Sequence, residues 1–390
     1  MIKSMKLKKN NKIVIVNLLV LLFLNHGVLY YFNPEDIYEY SNPIKYIKYI
    51  LIMALFITLL REINIKHILY VLMIWTIVVT SHVIANNNLG LMSILNYCFP
   101  ILIVCLYSPL KLYLNIKICS ISTYVFATIM AYIEFFLMNE PFIQYADAGY
   151  RVCSNFINPN NFSAIVWILT IYMLYNINKW WVKISVIGNS CILLVLSGSR
   201  AGMIIFAIGI FLIFLGKVVS VLKRKGVVKK NYLKICVEMI GLAIIIIICL
   251  RNQIVYFINI LLSSSRQIGN IDLSVGRFGQ IIEFLKNVKE NPLFPNKISQ
   301  AYTDNLYLHL WGFVGIIVCI IFILFNLYLF LICYMRRKKM FCILFFLFFI
   351  YGFAENYLYL WPIAYIYWYL VCIVMEKKRR IGVNNSQIVV

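Results

Sequence analysis

The sequence is short of charge. Only 13% of its 390 residues are Asp, Glu, Lys or Arg, while 63% are hydrophobic. A soluble globular protein of this length would need more polar surface to face water. Instead, apolar runs of about 17 to 25 residues recur along the chain, and this is the length of a bilayer-spanning helix. The composition therefore excludes a soluble protein and predicts a single polytopic membrane domain.

Paired cysteines and clustered histidines are also missing. The 11 cysteines form no CxxC pair, and nearly all of them lie in apolar runs, where cysteine behaves as a small hydrophobic residue. The 4 histidines are scattered without metal-ligand spacing. We therefore expect no disulfide framework, no metal site and no cofactor.

The apolar runs predict an all-α integral membrane protein with about twelve transmembrane helices. Basic residues before the first run resemble a signal peptide, but no small-residue cleavage site follows, so a first spanning helix is favoured. A polar stretch, residues 251–305, interrupts the later runs and is predicted to be a loop. The predicted spans are residues 13–32, 44–60, 67–85, 93–109, 116–138, 162–176, 181–196, 201–222, 233–250, 306–334, 341–353 and 357–375.

Acidic residues are scarce, and the formal net charge of +22 would suggest nucleic acid as a partner in a soluble protein. Here the twelve spans sort the charge by side. The side with both termini holds 26 of the 36 Lys and Arg but only 3 of the 14 Asp and Glu. Basic residues collect on the cytoplasmic side of membranes. The sequence thus predicts cytoplasmic termini and an external 251–305 loop, and it explains the charge without nucleic acid.

The arginines on the outer side stand out against this pattern. Arg200 lies in Ser-Gly-Ser-Arg-Ala-Gly at the start of a predicted span. Unpaired N–H groups and the positive end of the helix dipole already attract anions there. Guanidinium groups fit phosphate and carboxylate geometry. We expect an anion site, with lipid headgroup contacts or plain salt bridges as the alternative for each outer arginine, the others being Arg151, Arg251, Arg266 and Arg277.

The external loop contains a predicted short amphipathic helix, residues 276–291, with apolar side chains at helical spacing. Ser274 is its expected N-cap, and Pro292 follows its end. Arg277 stands three residues after this cap, where a capping box would have Glu or Gln. This again favours a bound anion over helix stability.

Other polar residues at span ends have two interpretations each. Asp304 is either the N-cap of the following span or a general base for a sugar hydroxyl, and Glu355 has the same two roles open. The Asn-Pro-Asn at residues 158–160 caps its span or presents amides to a sugar. His309 lies one turn inside its span, where a lone histidine more often has a structural role.

The order of these motifs resembles the Wzy-type O-antigen and capsular polysaccharide polymerases and their relatives, the O-antigen ligases. The resemblance covers about residues 151–315. It rests on Asn-Pro-Asn at 158–160, Ser-Gly-Ser-Arg-Ala-Gly at 197–202, Ser-Val-Gly-Arg at 274–277, Asn-Pro-Leu-Phe at 291–294 and Asp-Asn-Leu-Tyr-Leu at 304–308. The family often has Gly after the Asn-Pro-Leu-Phe run, whereas this chain has Pro295 and Asn296.

The resemblance implies a bacterial inner-membrane glycosyltransferase with a GT-C-like fold. Such enzymes transfer a growing glycan from undecaprenyl diphosphate to a new lipid-linked repeat unit, without a metal or a nucleotide sugar. A flippase and a chain-length regulator are expected partners. Carried over from the family, Arg200 and Arg277 would hold the diphosphates. With the polar residues discussed above, we expect Asp304, Arg277 and Arg200 to be catalytic, and we expect substrate binding by Arg151, Arg266, Asn160, Ser199, Tyr302, Asn305 and His309.

Two alternatives stay open. The ligases have a histidine near the end of the external loop, where this chain has Asp304 and Asn305 with His309 displaced inward, so a polymerase is favoured over a ligase. A transporter or flippase of lipid-linked sugars is the alternative from another class. Transporters commonly bury ionisable groups near the middle of the bilayer or show inverted repeats, and the predicted spans contain few such groups.

Overall fold

The computed structural model describes residues 44–85, 91–113, 115–137, 144–145, 149–156, 158–224, 267–268, 271–272, 281, 284–295, 304–360 and 362–376. The predicted spans 13–32 and 233–250 and most of the 251–305 loop lie outside these residues. The described chain is helical, apart from two small hairpins that the all-α prediction did not include. β1 (Gln144–Tyr145) pairs with β2 (Gly149–Tyr150), and β3 (Gln267–Ile268) pairs with β4 (Ile271–Asp272), both antiparallel.

Eleven α-helices follow one another in the described ranges, and a further helical stretch covers residues 284–290 of the external loop. Short 3-10 helices cover Leu60–Glu62 and Ser154–Phe156. The α-helices are α1 (Ile44–Leu59), α2 (Ile65–Ala85), α3 (Leu91–Tyr113), α4 (Ile116–Leu137), α5 (Pro159–Asn176), α6 (Trp180–Ser197), α7 (Arg200–Arg224), α8 (Leu306–Val314), α9 (Ile316–Met335), α10 (Lys339–Tyr351) and α11 (Ile363–Met375).

Within the described residues, four helical segments are long and apolar enough to cross a membrane: Ile94–Lys111, Ile116–Leu137, Trp180–Ser197 and Ile316–Met335. Their length and composition support the prediction of a helical membrane protein. Helix α5 is the centre of the bundle, because most of its side chains are buried on every face. Its Trp167 packs edge-on against Phe348 and Tyr351 of α10.

Two predicted spans differ in form from the structure. The run 306–334 is not one helix, because the chain turns sharply at Gly315, between α8 and α9. Gly315 has a φ of +98°, and a Cβ there would lie 2.6 Å from a ring carbon of Phe294, so only glycine fits. The run 357–375 begins as a helix only at Ile363, because Pro362 disfavours helix in the residues before it.

Basic side chains gather at one end of the bundle and cap α11. Lys338 Nζ donates to the Ile373 carbonyl over 2.9 Å, and the Arg336 guanidinium donates to the Val374 carbonyl. Lys111 of α3 forms a 2.6 Å ion pair with Glu376, the residue that follows α11. Cations beside the last carbonyls of a helix are favourable because they complement its dipole. The candidate site lies at the opposite ends of these helices.

Candidate functional site

Five helix ends and turns meet at the end of the bundle away from these basic residues. They are the starts of α5, α7 and α8, the end of α6, and the turn of residues 352–356 after α10. Seven polar residues lie at this junction, and we call them the polar end cluster: Arg151, Asn160, Ser199, Arg200, Asp304, Asn305 and Glu355. Six of them belong to the predicted site, and Glu355 is the addition.

The start of α5 is built as the sequence predicts. Asn158 is the N-cap, and its side chain accepts a hydrogen bond from the Asn160 backbone N–H over 2.8 Å. Pro159 follows as the first helical residue, where its missing N–H has no cost. The prediction that residues 158–160 cap this helix is confirmed. The cap also points the Asn160 side chain away from the helix towards the cluster.

Asn160 lies between two opposite charges. Its Oδ1 accepts a 3.1 Å hydrogen bond from Arg151 Nη2, and its Nδ2 donates a 2.7 Å hydrogen bond to Glu355 Oε1. Arg151 and Glu355 are each only 6% exposed. Buried charges are stable only when paired and hydrogen-bonded. The orientation of the amide is therefore determined, because a flipped amide would face a donor with a donor and an acceptor with an acceptor.

The backbone of Asn160 is held as firmly as its side chain. Its carbonyl accepts hydrogen bonds from Ser163 Oγ at 2.8 Å and from the Tyr351 hydroxyl at 3.2 Å. Tyr351 is the last residue of α10, so this contact joins α5 to the turn that carries Glu355. The sequence predicts that Arg151 and Asn160 bind substrate; in this structure they hydrogen-bond each other, and their contact with substrate stays a prediction.

The Ser-Gly-Ser-Arg turn ends α6 and begins α7. Gly198 is the left-handed C-cap of α6, with a φ of +57°, and the Ser197 carbonyl accepts a 2.9 Å hydrogen bond from Arg151 Nε. Ser199 is 1% exposed and caps α7, because its Oγ accepts from the Gly202 N–H over 3.3 Å. Arg200 is the first residue of α7 and is partly exposed. The arginine thus stands at a helix N-terminus, as predicted.

Helices α5 and α7 approach closely just behind this turn. A Cβ on Gly202 would lie 2.4 Å from Ser163 Oγ and 2.6 Å from Ser163 Cβ. Only glycine allows two helix backbones so near each other at this point. The close approach brings the start of α7, with Arg200, beside the start of α5, with Asn160.

Glu134 anchors the segment that carries Arg151, a role that its place within an apolar run did not predict. Its carboxylate, near the end of α4, is 1% exposed and accepts hydrogen bonds from the backbone N–H groups of Cys153 and Ser154, at 3.1 and 2.6 Å. On the other side, Val152 N–H donates to the Leu196 carbonyl of α6 over 3.0 Å. Burial and the nearby Glu134 carboxylate raise the pKa of the Cys153 thiol well above its ordinary value.

At the start of α8 the N-cap is Asn305, and the alternative that Asp304 is the N-cap is wrong. Asn305 Oδ1 accepts from the N–H groups of Tyr307 and Leu308, at 2.9 and 3.1 Å. Asp304 precedes the cap and is partly exposed. Its role as a general base stays a prediction.

The same start of α8 rests on the turn after α10. Asn305 Nδ2 donates to the Phe353 carbonyl over 2.9 Å, and the Leu306 N–H donates to the Gly352 carbonyl over 2.8 Å. Glu355 follows in that turn. The turn therefore connects Asp304 and Asn305 on one side to Asn160 on the other.

His309 lies deeper and is 1% exposed. Its Nδ1 shares a hydrogen bond with the Tyr97 hydroxyl, which itself accepts from Asn356 Nδ2 over 3.0 Å. The buried imidazole is thus held by a tyrosine hydroxyl that a second side chain, Asn356, also contacts. This arrangement fits the structural role that a lone histidine suggests, and substrate contact by His309 stays a prediction.

The remaining predicted site residues, Arg266, Arg277 and Tyr302, lie outside the described residues, as does the expected N-cap Ser274. Of the predicted surface helix, residues 284–290 are helical. Phe284 is fully buried and packs edge-on against Trp311 of α8. Within the described ranges, no three His, Cys, Asp or Glu side chains are grouped to hold a metal ion.

The site therefore has buried opposite charges, three helix N-termini, and a partly exposed arginine and carboxylate at one end of an apolar bundle. No family model, no curated protein and no solved structure matches this chain.

Proposed function

We propose that this chain joins undecaprenyl-diphosphate-linked oligosaccharide repeat units into O-antigen or capsular polysaccharide at the outer face of the bacterial cytoplasmic membrane. The supporting observation is the polar end cluster. A chain of hydrogen bonds through Arg151, Asn160 and the turn of residues 352–356 connects the turn before Arg200 to the Asp304–Asn305 start of α8. A lipid-linked polymerase needs such a pair, namely a cation for the diphosphate and a carboxylate for the acceptor hydroxyl.

The proposal includes a twelve-span, GT-C-like membrane domain with cytoplasmic termini and an external 251–305 loop. Its support is the separation of charge along the helices. Lys111, Arg336 and Lys338 lie at one end of the bundle, and the polar end cluster lies at the other. Basic residues at the cytoplasmic side and an anion-binding site at the outer side agree with this orientation.

In the proposed reaction, an acceptor sugar hydroxyl attacks the anomeric carbon of the growing glycan. The bond between that carbon and the diphosphate oxygen breaks, and undecaprenyl diphosphate leaves. Arg200, together with Arg277 of the loop, stabilises the negative charge on the leaving diphosphate. Asp304 accepts the proton of the attacking hydroxyl. A flippase that delivers repeat units and a chain-length regulator are the proposed protein partners.

The experiment compares Arg200→Ala with Arg61→Ala in a strain whose polysaccharide depends on this protein. Arg61 is exposed in the 3-10 helix after α1, outside the polar end cluster, so it is a matched control for loss of one arginine. We expect Arg200→Ala to shorten or abolish the polysaccharide ladder at normal protein levels, and Arg61→Ala to leave it intact. A full ladder in both variants would reject the proposed anion site.

Deletion of the gene separates the polymerase from the ligase. Loss of a polymerase leaves single repeat units on the final acceptor, whereas loss of a ligase accumulates long polymer on the lipid carrier. We expect single repeats.

Buried ionisable groups support one function of another class. Glu134, Arg151 and Glu355 are all at most 6% exposed, and the backbone between α10 and α11 is irregular yet largely buried. Buried charges and interrupted helices are typical of transporters, so a carrier of lipid-linked sugars is the second candidate. Accumulation of lipid-linked repeats on the cytoplasmic face after deletion would favour it over the polymerase.

A further inference from the structure

We infer that Asn160 is a positioning residue that couples the two halves of the site through the opposite charges of Arg151 and Glu355. One half is the Ser197–Arg200 turn, and the other is the turn of residues 352–356 with the start of α8. The inference rests on the proposed function only where it assigns phosphate binding to Arg200 and proton transfer to Asp304. The coupling itself stands on the hydrogen bonds.

The first link runs from Asn160 to the Ser197–Arg200 turn. Arg151 donates one hydrogen bond from Nη2 to Asn160 Oδ1 and another from Nε to the Ser197 carbonyl. Its side chain also lies against Gly198, where a Cβ would meet Arg151 Nε at 3.2 Å. A displaced Arg151 therefore changes the turn that sets the start of α7 and the position of Arg200.

The second link runs from Asn160 to the carboxylate half. Glu355 accepts from Asn160 Nδ2 and stands three residues after Gly352, whose carbonyl holds the Leu306 N–H. Phe353 between them accepts from the Asn305 cap. A displaced Glu355 therefore shifts the Gly352 and Phe353 carbonyls that hold the start of α8, and with it Asp304.

Both links depend on charge as well as on hydrogen bonds. Arg151, Asn160 and Glu355 together are neutral, and the Asn160 amide hydrogen-bonds to both charged side chains. Asn160→Asp keeps the acceptor for Arg151 but sets a second carboxylate against the buried carboxylate of Glu355. Glu355→Gln removes the negative charge that balances Arg151. The double variant Asn160→Asp, Glu355→Gln restores the hydrogen bonds and the neutral charge. The carboxylate that Asn160→Asp creates accepts from Arg151, and the new Gln amide donates to that carboxylate.

The test measures backbone hydrogen exchange on the purified full chain in detergent, together with transfer activity on a lipid-linked repeat unit. We expect Asn160→Asp to speed exchange by about tenfold or more at both halves, around Val152 and Gly198 and around Leu306. Turnover should fall by a similar factor. The double variant should return both quantities to within about threefold of the wild-type values, which a merely local structural role would not produce.

Asn176→Asp is the matched control, because Asn176 ends the same helix, is exposed, and donates to the Tyr172 carbonyl and to Met340 Sδ, neither of which belongs to the two halves of the site. We expect it to change neither half. Faster exchange at only one half in Asn160→Asp, or a double variant no better than the worse single, would overturn the coupling. If the exchange results are as expected but Arg200→Ala retains full activity, the coupling is supported and the proposed function is rejected.

Discussion

The side chain of Arg151 fills the space above Gly198, so the arginine and the glycine determine each other's conformation. A Cβ on Gly198 would lie 3.2 Å from Arg151 Nε and 3.3 Å from Arg151 Cγ. The glycine has a φ of +57°, which L side chains adopt at a cost. The segment that carries Arg151 therefore fits against the turn between α6 and α7, although 46 residues separate Arg151 from the Ser197 carbonyl that it binds.

Gly198→Ala should lower the free energy of unfolding by about 1–2 kcal/mol, because alanine is strained in the left-handed region and its methyl group pushes Arg151. Gly216→Ala is the control, since a Cβ at that position of α7 meets nothing within 4 Å. We expect Gly216→Ala to be neutral or stabilising by about 0.5–1 kcal/mol. Equilibrium unfolding in detergent measures the change in unfolding free energy for each variant. Equal changes at Gly198 and Gly216 would contradict the claim that Arg151 packs against Gly198.

Gly202→Ala should destabilise the protein by about 1–3 kcal/mol, because its methyl group would overlap Ser163 on the facing helix. Ser163→Gly in the same chain should recover part of the loss, because it removes the overlap but also removes the hydrogen bond from Ser163 Oγ to the Asn160 carbonyl. Gly209→Ala is the comparison, because its nearest contact, at 2.6 Å, is the flexible Cδ1 of Ile171, which can turn away. Thermal unfolding of the three variants tests the order, and a Gly209→Ala variant as damaged as Gly202→Ala would refute it.

Glu134→Gln should release the segment of residues 151–154. The carboxylate accepts from two backbone N–H groups, and a Gln amide can replace only part of these charge-assisted hydrogen bonds, so about 1.5–3 kcal/mol is lost. Alkylation of Cys153 by N-ethylmaleimide reports the release. The wild-type thiol should react slowly at pH 8, because it is buried and its pKa is raised.

In Glu134→Gln the Cys153 peptide should be alkylated on the order of tenfold faster by mass spectrometry. Glu290→Gln, a change at an exposed position, serves as control and should leave that rate unchanged. An unchanged Cys153 rate in Glu134→Gln would show that the carboxylate does not hold the segment.

The Lys111–Glu376 pair should add a small pH-dependent term to stability. The hydrogen bond from Lys111 lowers the pKa of Glu376 below its ordinary value of 4.5. A lowered folded-state pKa means that the stabilisation is present above about pH 4.5 and is lost as the pH falls through the folded value. Both side chains are at least 43% exposed, so solvent screening limits the pair to about 1 kcal/mol or less.

Unfolding measured from pH 7 to pH 3 in wild type and Lys111→Met isolates this contribution. The difference between the two proteins should shrink as Glu376 becomes protonated. A difference that stays constant over this range would show that packing of the Lys111 stem, rather than charge, stabilises the contact.

Local signals predicted most of the helices. Asn158 and Pro159 mark the start of α5, and Gly198 separates α6 from α7, because caps and left-handed turns depend on a few adjacent residues. For α8, the N-cap that the sequence offered was Asp304, and the observed N-cap is the next residue, Asn305. Asp304 and Asn305 are both good capping residues, and the contact of Asn305 with Phe353, 48 residues away, is not visible in the local sequence.

Contacts between distant residues could not be predicted in this way. Asn160 and Glu355 are 195 residues apart, and no spacing rule connects them. A signal for the break at Gly315 was present, however. The run 306–334 would form a helix of about 43 Å, which exceeds the hydrocarbon thickness of about 30 Å. Its length argued for an interruption, although the position depends on the contact with Phe294.

The break at Gly315 sets the depth of the site. The chain folds back there, so that the Tyr307 carbonyl meets Cys319 Sγ at 3.2 Å. Helix α9 has 20 residues and spans about 30 Å, while its neighbour α10 has 13 and rises only about 20 Å from the same end. The turn after α10 therefore stops about 10 Å short of the far end of α9. Glu355 and Asn305 lie at this step between the two helices, where apolar neighbours lower the local dielectric and strengthen each charged contact.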